Sequence, residues 1–439
     1  MFMKNILLIG QCTLHWGRME FGNIGNYYII EPFVRELHRV FPQAKISTTF
    51  QMSDRFCQDE QVEVLPIGYY YDFGIDNLPI AEREYNIAKK YAQTGELKET
   101  TPYIDAVMRS DLVIDFSGDI WGDNADFLGK NRLLIGLLKD RVAQLMGKPN
   151  VMLAGSPGPF SNLNNLEFAR EVYKNFTLVT NRESLSIGLM KSYGFDVSNT
   201  QSFACPAFLF EPSDDNVATA IATELGIVGN KQKTVGFILC GWNFLEAPFD
   251  KKNRRVDEFT IFAEAVEFIT EKLGASVFLM SHSNGFPIPP LEFKLIHGRD
   301  YETAQQLYNV LKHRGIAKNV HLIDRVCNAW ETKAVIGKFD MIVSGRVHGA
   351  VAGLSQSVPT VVIDYGHEPK AHKLKGFCIE AGVEDFLADP AKQNDLNEKI
   401  ERAFSNLEEY RKMLDKQIPL VKAKARKNFD ILSKIKYKQ

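Results

Sequence analysis

An arginine and a histidine one residue apart, at the end of an apolar run, form the densest chemical constellation in this chain. The stretch Met341-Ile342-Val343-Ser344-Gly345-Arg346-Val347-His348-Gly349-Ala350 reads as a buried strand ending at Ser344, then a helix rich in small residues. Arg346 supplies a planar, permanently charged fork suited to phosphate or carboxylate. His348 falls at or near a helix N-terminus, where exposed N–H groups attract anions. There an imidazole can donate to an anion or move a proton. The next apolar run, Val361-Val362-Ile363-Asp364, brings Tyr365, His367 and Lys370 to the same sheet edge, and Lys370 adds a point charge. The competing interpretation is an Arg–Asp surface pair plus a capping histidine.

These residues need elements that hold them. Short apolar runs ending in Gly, Ser or Asp recur at Ile6 to Gly10, Leu112 to Asp115, Val151 to Leu153, Leu178 to Thr180, Val235 to Leu239, Val277 to Met280, Met341 to Ser344 and Val361 to Asp364. Helical periodicity lies between them, as at 131–146 and 257–273. Such alternation predicts an α/β chain with parallel sheets and right-handed crossovers. Two sheets are expected, in two Rossmann-like domains of residues 1–215 and 216–394, with a C-terminal helical segment over 395–439 in which Pro419 should break or kink the helix. Ligands of such sheets bind beyond the carboxyl ends of the strands, so two facing domains predict a central cleft. Segment 55–105, rich in Tyr, Asp and Glu, resists assignment.

Several blocks, in order along the chain, resemble the polysaccharide pyruvyl transferase family. Ser344-Gly345-Arg346-x-His348-Gly349-Ala350, then Leu354-Ser355, Pro359, Tyr365 and Pro369-Lys370, are similar to its C-terminal block. Gly22-Asn23-Ile24-Gly25-Asn26 resembles its Gly-Asn-x-Gly-Asp loop, with Asn26 in place of Asp. Gly155-Ser156-Pro157-Gly158-Pro159-Phe160 resembles its Gly-Pro loop, and Thr180-Asn181-Arg182-Glu183-Ser184-x-Ser186 its Arg-Glu helix start. Ser281-His282 stands where the family has Pro-His, and Ser117-Gly118-Asp119 where it has a Gly-rich loop.

The resemblance implies a fold like the GT-B glycosyltransferases, with phosphoenolpyruvate as co-substrate and no other cofactor or metal. It implies transfer of a pyruvyl group to a sugar of a cell-surface polysaccharide or its precursor, as a ketal, with release of phosphate. Arg182, Arg346, His348 and Lys370 match anion-binding positions on the donor side. Asp119 is expected to accept a proton from a sugar hydroxyl, against the alternative of a helix cap. Asn23, Asn26, Asp119 and His282 are the expected acceptor contacts, with turn and capping roles competing. The catalytic set is therefore His348, Arg346 and Asp119. Trp16, Trp121 and Trp242 flank strand tips, where core packing competes with stacking on a sugar ring. The rival activities are nucleotide-sugar glycosyl transfer and carbohydrate binding by a degenerate site.

Composition narrows the field. With 439 residues, 45% hydrophobic and 24% charged, the chain is an ordinary globular sequence. A net charge of -2 argues against nucleic acid as a partner. The six cysteines form no C-x-x-C pair and predict free thiols in a reducing compartment. No stretch approaches the roughly 18 apolar residues of a membrane span, so a cytoplasmic location is expected. Residues 420–439 are basic with interleaved apolar positions, suggesting either peripheral contact with the inner face of a membrane, fitting a lipid-linked acceptor, or a helix packed back on the protein. No P-loop or G-x-G-x-x-G fingerprint is present. His367 and His372 bracket Pro369 and do not suit a metal.

Overall fold

The computed structural model describes residues 3–11, 23–246, 251–287, 290–365 and 371–435. Within them the apolar runs become the middles of two parallel sheets. The first holds β1 (Asn5–Ile9), β2 (Lys45–Thr48), β3 (Val62–Val64), β4 (Leu112–Asp115), β5 (Asn150–Gly155), β6 (Leu178–Asn181) and β7 (Thr200–Ser202), in the order β3-β2-β1-β4-β5-β6-β7. The second begins with β8 (Thr234–Ile238) and β9 (Ser276–Met280). After a small antiparallel ribbon of β10 (Asn284–Gly285) and β11 (Ile296–His297), it continues through β12 (Val320–Leu322), β13 (Met341–Ser344), β14 (Thr360–Ile363) and β15 (Leu387–Ala388). Its order is β12-β9-β8-β13-β14-β15.

Both sheets start in the middle, wind outward one way, then return and wind outward the other. The strand order therefore reverses between β1 and β4 in the first sheet and between β8 and β13 in the second. At such a switch point the crossovers leave in opposite directions and open a crevice at the carboxyl ends of the two strands.

The inner strands β4 and β5 of the first sheet are buried along their whole length. On one face Leu7, Ile9, Val113, Ile104, Val107, Ile135, Leu138 and Val142 belong to one buried cluster, and Leu133, Leu137, Met152, Val179, Trp121, Phe160 and Tyr173 to its neighbour. The helix Arg132–Leu145 serves both. At about 25 cal/mol per Å² of apolar area removed from water, such clusters are the main stabilising term. Segment 55–105 contains the helix Leu78–Thr94. Its buried Glu84 accepts from Lys139 Nζ at 2.6 Å and from Thr101 Oγ1 at 2.9 Å. Burial draws the Lys139 pKa down, and the Glu84 charge opposes that shift.

Two compact units emerge. One comprises the described residues of 3–11, 33–205 and 424–435, and the other those of 23–32 and 206–423. The division falls inside two helices, Ile24–Val40 and Leu407–Asp430, so each unit takes a piece of chain from the far side of a boundary drawn in sequence order.

The C-terminal segment is helical, as Asp395–Phe404 and Leu407–Asp430. Of the expected break or kink, the break does not occur: Pro419 lies inside the second helix. Asp415, whose carbonyl loses its N–H partner at Pro419, is exposed, as is the proline, so solvent satisfies the freed group. No helix of the described residues is long and apolar enough to cross a membrane.

Candidate functional site

The second unit's switch point is built by β8 and β13. Beyond β8, Cys240 and Asn243 begin a tight 3-10 turn. Asn243 Oδ1 accepts from the Cys240 N–H at 2.9 Å, and Asn243 Nδ2 donates to the Gly345 carbonyl at 3.1 Å. A side chain at position 345 would overlap Asn243, so glycine is required where the two strand tips are latched together.

Beyond β13, Ser344 Oγ accepts from the Arg346 N–H at 3.2 Å and donates to the Arg346 carbonyl at 2.8 Å. This fixes Arg346 as the N-cap of the helix Val347–Leu354. The helix approaches its sheet closely: a Cβ at Gly349 would meet Ser344 Oγ at 2.7 Å, and one at Gly353 would meet Thr360 Oγ1 at 2.7 Å.

The Arg346 guanidinium is buried and already engaged. Nε donates to Asp300 Oδ2 at 2.8 Å and Nη2 to Asp300 Oδ1 at 2.5 Å. This bidentate pair is the kind of Arg–Asp contact the sequence left as a competing interpretation, but buried rather than on the surface. Asp300 sits on the first turn of the helix Arg299–His313, and its N–H donates to Ser283 Oγ at 3.1 Å. Burial works to lower the Arg346 pKa, but the Asp300 carboxylate more than offsets it and holds the guanidinium charged.

His348 lies on the first turn of its helix, half-buried. It packs against Gly25, where a Cβ would overlap the imidazole Nδ1. Gly25 opens the helix Ile24–Val40, and its N–H donates to Asn23 Oδ1 at 3.0 Å. Asn23 thus uses its side-chain oxygen as a helix cap, one of the two roles anticipated for it. Asn26 is half-buried on the same turn. Both asparagines belong to the unit that carries His348, although they precede β2 in the chain.

His282 is in that unit too, fully buried, with its ring 5.4 Å from that of Tyr28 in an edge contact. Its Nε2 has no hydrogen-bond partner among the described residues. Desolvation is the chief cause that lowers its pKa to about 3, with the Arg346 charge helping and the Asp300 charge opposing, so the ring is neutral near pH 7. Lys370 lies outside the described residues, as does Trp16.

The first unit's switch point carries the other expected residues. Ser117 follows β4, donates to Asp115 Oδ2 at 2.9 Å and accepts from the Gln11 N–H at 3.0 Å. Gly118 adopts φ 62°, a left-handed turn that suits glycine. Asp119 comes next, half-buried, 3.5 Å from Arg182 Nη2. Arg182 Nε also donates to Ser156 Oγ at 3.0 Å. The neighbouring Glu183 instead caps the helix Leu185–Ser192, accepting from the Leu185 and Ser186 N–H groups at 2.7 and 3.1 Å. Asp119, Arg182 and Ser156 therefore share one polar cluster in the first unit, and Arg346, His348, Asn23, Asn26 and His282 lie in the second.

Trp121 is core, fully buried among Phe160, Tyr173, Phe176 and Phe195. Trp242 is half-buried, 6.1 Å from the Tyr365 ring. Among the described residues no group of three or more His, Cys, Asp or Glu side chains is placed to hold a metal. Sequence reasoning missed Asp300, Arg299 and Asn243. Gly298-Arg299-Asp300 looks like an ordinary acidic helix start, and only tertiary pairing gives it a role.

The folded chain resembles solved structures over nearly its whole length. HepE of Anabaena in complex with UDP matches with a TM-score of 0.58 at 12% identity, covering 98% of this chain and 99% of that chain. A glycosyltransferase from Rickettsia africae matches with a TM-score of 0.57 at 11% identity, covering 99% and 98%. The MnaA–UDP structure from S. aureus matches with a TM-score of 0.55 at 12% identity, covering 100% and 99%. At these identities the likeness is one of fold, of the GT-B type. The sequence itself goes further: the model of the polysaccharide pyruvyl transferase family matches residues 23–367, most of the chain, including both switch points from β4 onward and every described candidate residue, and the chain belongs to that family of transferases.

Proposed function

We propose that the chain transfers the pyruvyl group of phosphoenolpyruvate to a sugar of a polysaccharide or its precursor, forming a ketal and releasing phosphate. In that reaction a proton adds to the terminal enol carbon, which becomes the methyl group. The bond between the central carbon and the phosphate-bearing oxygen breaks, and two sugar hydroxyl oxygens bond to that carbon. The hydroxyls give up two protons, one balancing the proton at the methyl carbon and the other leaving with phosphate or to solvent. No net oxidation occurs, and no redox partner is needed.

The observation that carries this reading is the pairing of an anion-suited cluster with an imidazole at one strand tip: Arg346 held by Asp300, with His348 on the first turn of the following helix. A donor that carries both a phosphate and a carboxylate needs fixed cations and helix N-termini, and a general acid must sit within reach of the enol carbon. His348 is assigned as that acid or as a donor to the departing phosphate. Asp119 is assigned as the acceptor of a hydroxyl proton, with Arg182 Nη2 3.5 Å from its carboxylate. Asn23 is held as a cap, so its remaining amide donors are what it offers a sugar; Asn26 is assigned to the same hydroxyls. Lys370 is assigned to the donor phosphate on the family pattern alone.

A second reading, nucleotide-sugar glycosyl transfer, is favoured by the UDP present in the HepE and MnaA structures. A thermal-shift titration with phosphoenolpyruvate and, separately, UDP decides between them, because a ligand of the folded state raises Tm by mass action. A saturable shift with phosphoenolpyruvate, and acceptor-dependent phosphate release that His348→Ala reduces by about 10²-fold or more at unchanged Tm, is the expected result. A shift with UDP alone, or full activity in His348→Ala, would overturn the assignment.

A further inference from the structure

Arg346 is the cation the sequence singles out, yet its charge is already matched by Asp300. Two of its three guanidinium nitrogens are spent on that carboxylate, at 2.8 and 2.5 Å. The residue before Asp300 is different. Arg299 is the first residue of the helix Arg299–His313, whose N-cap is Gly298, with no side chain to cap it. It is exposed and has no hydrogen bond or ion pair among the described residues. Its field is dominated by Arg346: that like charge is the largest cause of a lowered Arg299 pKa, ahead of desolvation, while Asp300, Cys240 and Tyr365 oppose it. The cluster thus holds two guanidinium groups and one carboxylate.

Two helices also begin here. Arg346 is the N-cap of Val347–Leu354, and Arg299 is the first residue of Arg299–His313. The Arg346–Asp300 pair ties these starts together, and each contributes partial positive charge. Close by, buried His282 carries an Nε2 with no hydrogen-bond partner and interacts electrostatically with both Asp300 and Arg346. Like charges set side by side cost free energy unless an anion bridges them. The one carboxylate of the cluster, Asp300, is bonded through both oxygens to Arg346 rather than to Arg299.

We propose that Arg299 is the phosphate-binding arginine of this site, and that Arg346, fixed by Asp300, is its positioning partner, presenting only its Nη1 edge to the same anion. This deepens the function proposed above and rests on it only for the identity of the ligand that carries the phosphate. The shared chemistry is a phosphate group, whether of an enol phosphate or of a nucleoside diphosphate.

Calorimetric titration of the full chain with inorganic phosphate, phosphoenolpyruvate and UDP tests it. In Arg299→Gln, affinity for the phosphate ligands the wild type binds should fall about ten- to hundred-fold, the loss expected for a charge-assisted contact, with an unchanged Tm in the absence of ligand. Arg299→Lys keeps the charge without the fork, should recover part of the affinity, and serves as the readout should Arg299→Gln fold poorly. Equal affinity in wild type, Arg299→Gln and Arg299→Lys would overturn the inference, as would a wild type that binds none of the three probes. If the wild type binds phosphate and UDP but not phosphoenolpyruvate, and Arg299→Gln loses that binding, the arginine assignment stands and the donor proposed above falls.

Discussion

The decisive residue-scale fact is how little room His348 has. Its imidazole rests on Gly25, and any Cβ there would collide with Nδ1. The glycine's value in this place is thus the space it leaves. Gly25→Ala should displace the His348 ring while leaving the helix Ile24–Val40 intact, since alanine favours helix. We expect phosphate release to fall at least about ten-fold with Tm unchanged or slightly raised. Full activity in Gly25→Ala would show that the ring's position against this helix does not matter. The residue types were legible in the sequence, because Arg346 and His348 follow an apolar run. Their partners were not, because Asp300 is 46 positions away from Arg346 in sequence and Gly25 precedes His348 by most of the chain.

At the scale of elements, the helix Arg132–Leu145 carries buried Arg132 and Asp140 on a stripe that also holds Gly136. It faces the tips of β1 and β4. Arg132 Nη2 donates to the Gln11 carbonyl at 2.8 Å, and a Cβ at Gly136 would overlap the Gln11 amide. Asp115 and Asp140 are both fully buried. Burial, more than anything else, raises the Asp115 pKa to about 7 and the Asp140 pKa well above its usual value, and the Asp115 charge adds to the latter.

The sign of the resulting pH dependence follows. Above the unfolded carboxyl value of about 4, the folded state keeps protons that the unfolded chain releases. Stability is therefore fully present below that value and is lost as pH rises toward and through the folded values. Asp140→Asn should flatten this fall and raise Tm at pH 8 by a few degrees, on the order of 1–2 kcal/mol. A Tm that drops at pH 8, with the same slope between pH 4 and 7, would show that Asp140 is ionised in the fold.

The strands divide along the same line. All eight apolar runs became strands in the sheet interiors. β2, β3, β7, β12 and β15 escaped notice because they are short, and each leaves at least one residue half-buried or exposed. An outer strand has fewer buried faces, so it writes a weaker apolar signature.

At the scale of the whole molecule, the end of the chain closes the first unit. Phe429 and Leu432 are fully buried, and the Phe429 ring lies 5.2 Å from Phe33. Asn428 Nδ2 donates to the Ala204 carbonyl at 2.9 Å. Phe429 and Leu432, apolar positions of the basic segment 420–439, are thus core residues, while Leu420 in the same segment is exposed. Phe429→Ala should destabilise the protein by about 3–5 kcal/mol, measured by denaturant unfolding. A loss below about 1 kcal/mol would mean that the tail is not part of that core.

What the sequence by itself determined was local: the period of the apolar runs, the strand tips they end on, and the polar residue types placed just after them. Apolar periodicity and turn chemistry act over a few residues, so the α/β class, the two sheets, the ordered family blocks and the Arg346–His348 strand tip could all be read directly. Only the tertiary structure decided which charges are already spent and which residues share a unit. Arg346 is matched by Asp300, Arg182 by Asp119, and Ile24–Pro32 counts with the second sheet rather than the first. Pairing of this kind is set by the three-dimensional closure of sheets whose strand order reverses, which brings together residues that no local rule connects.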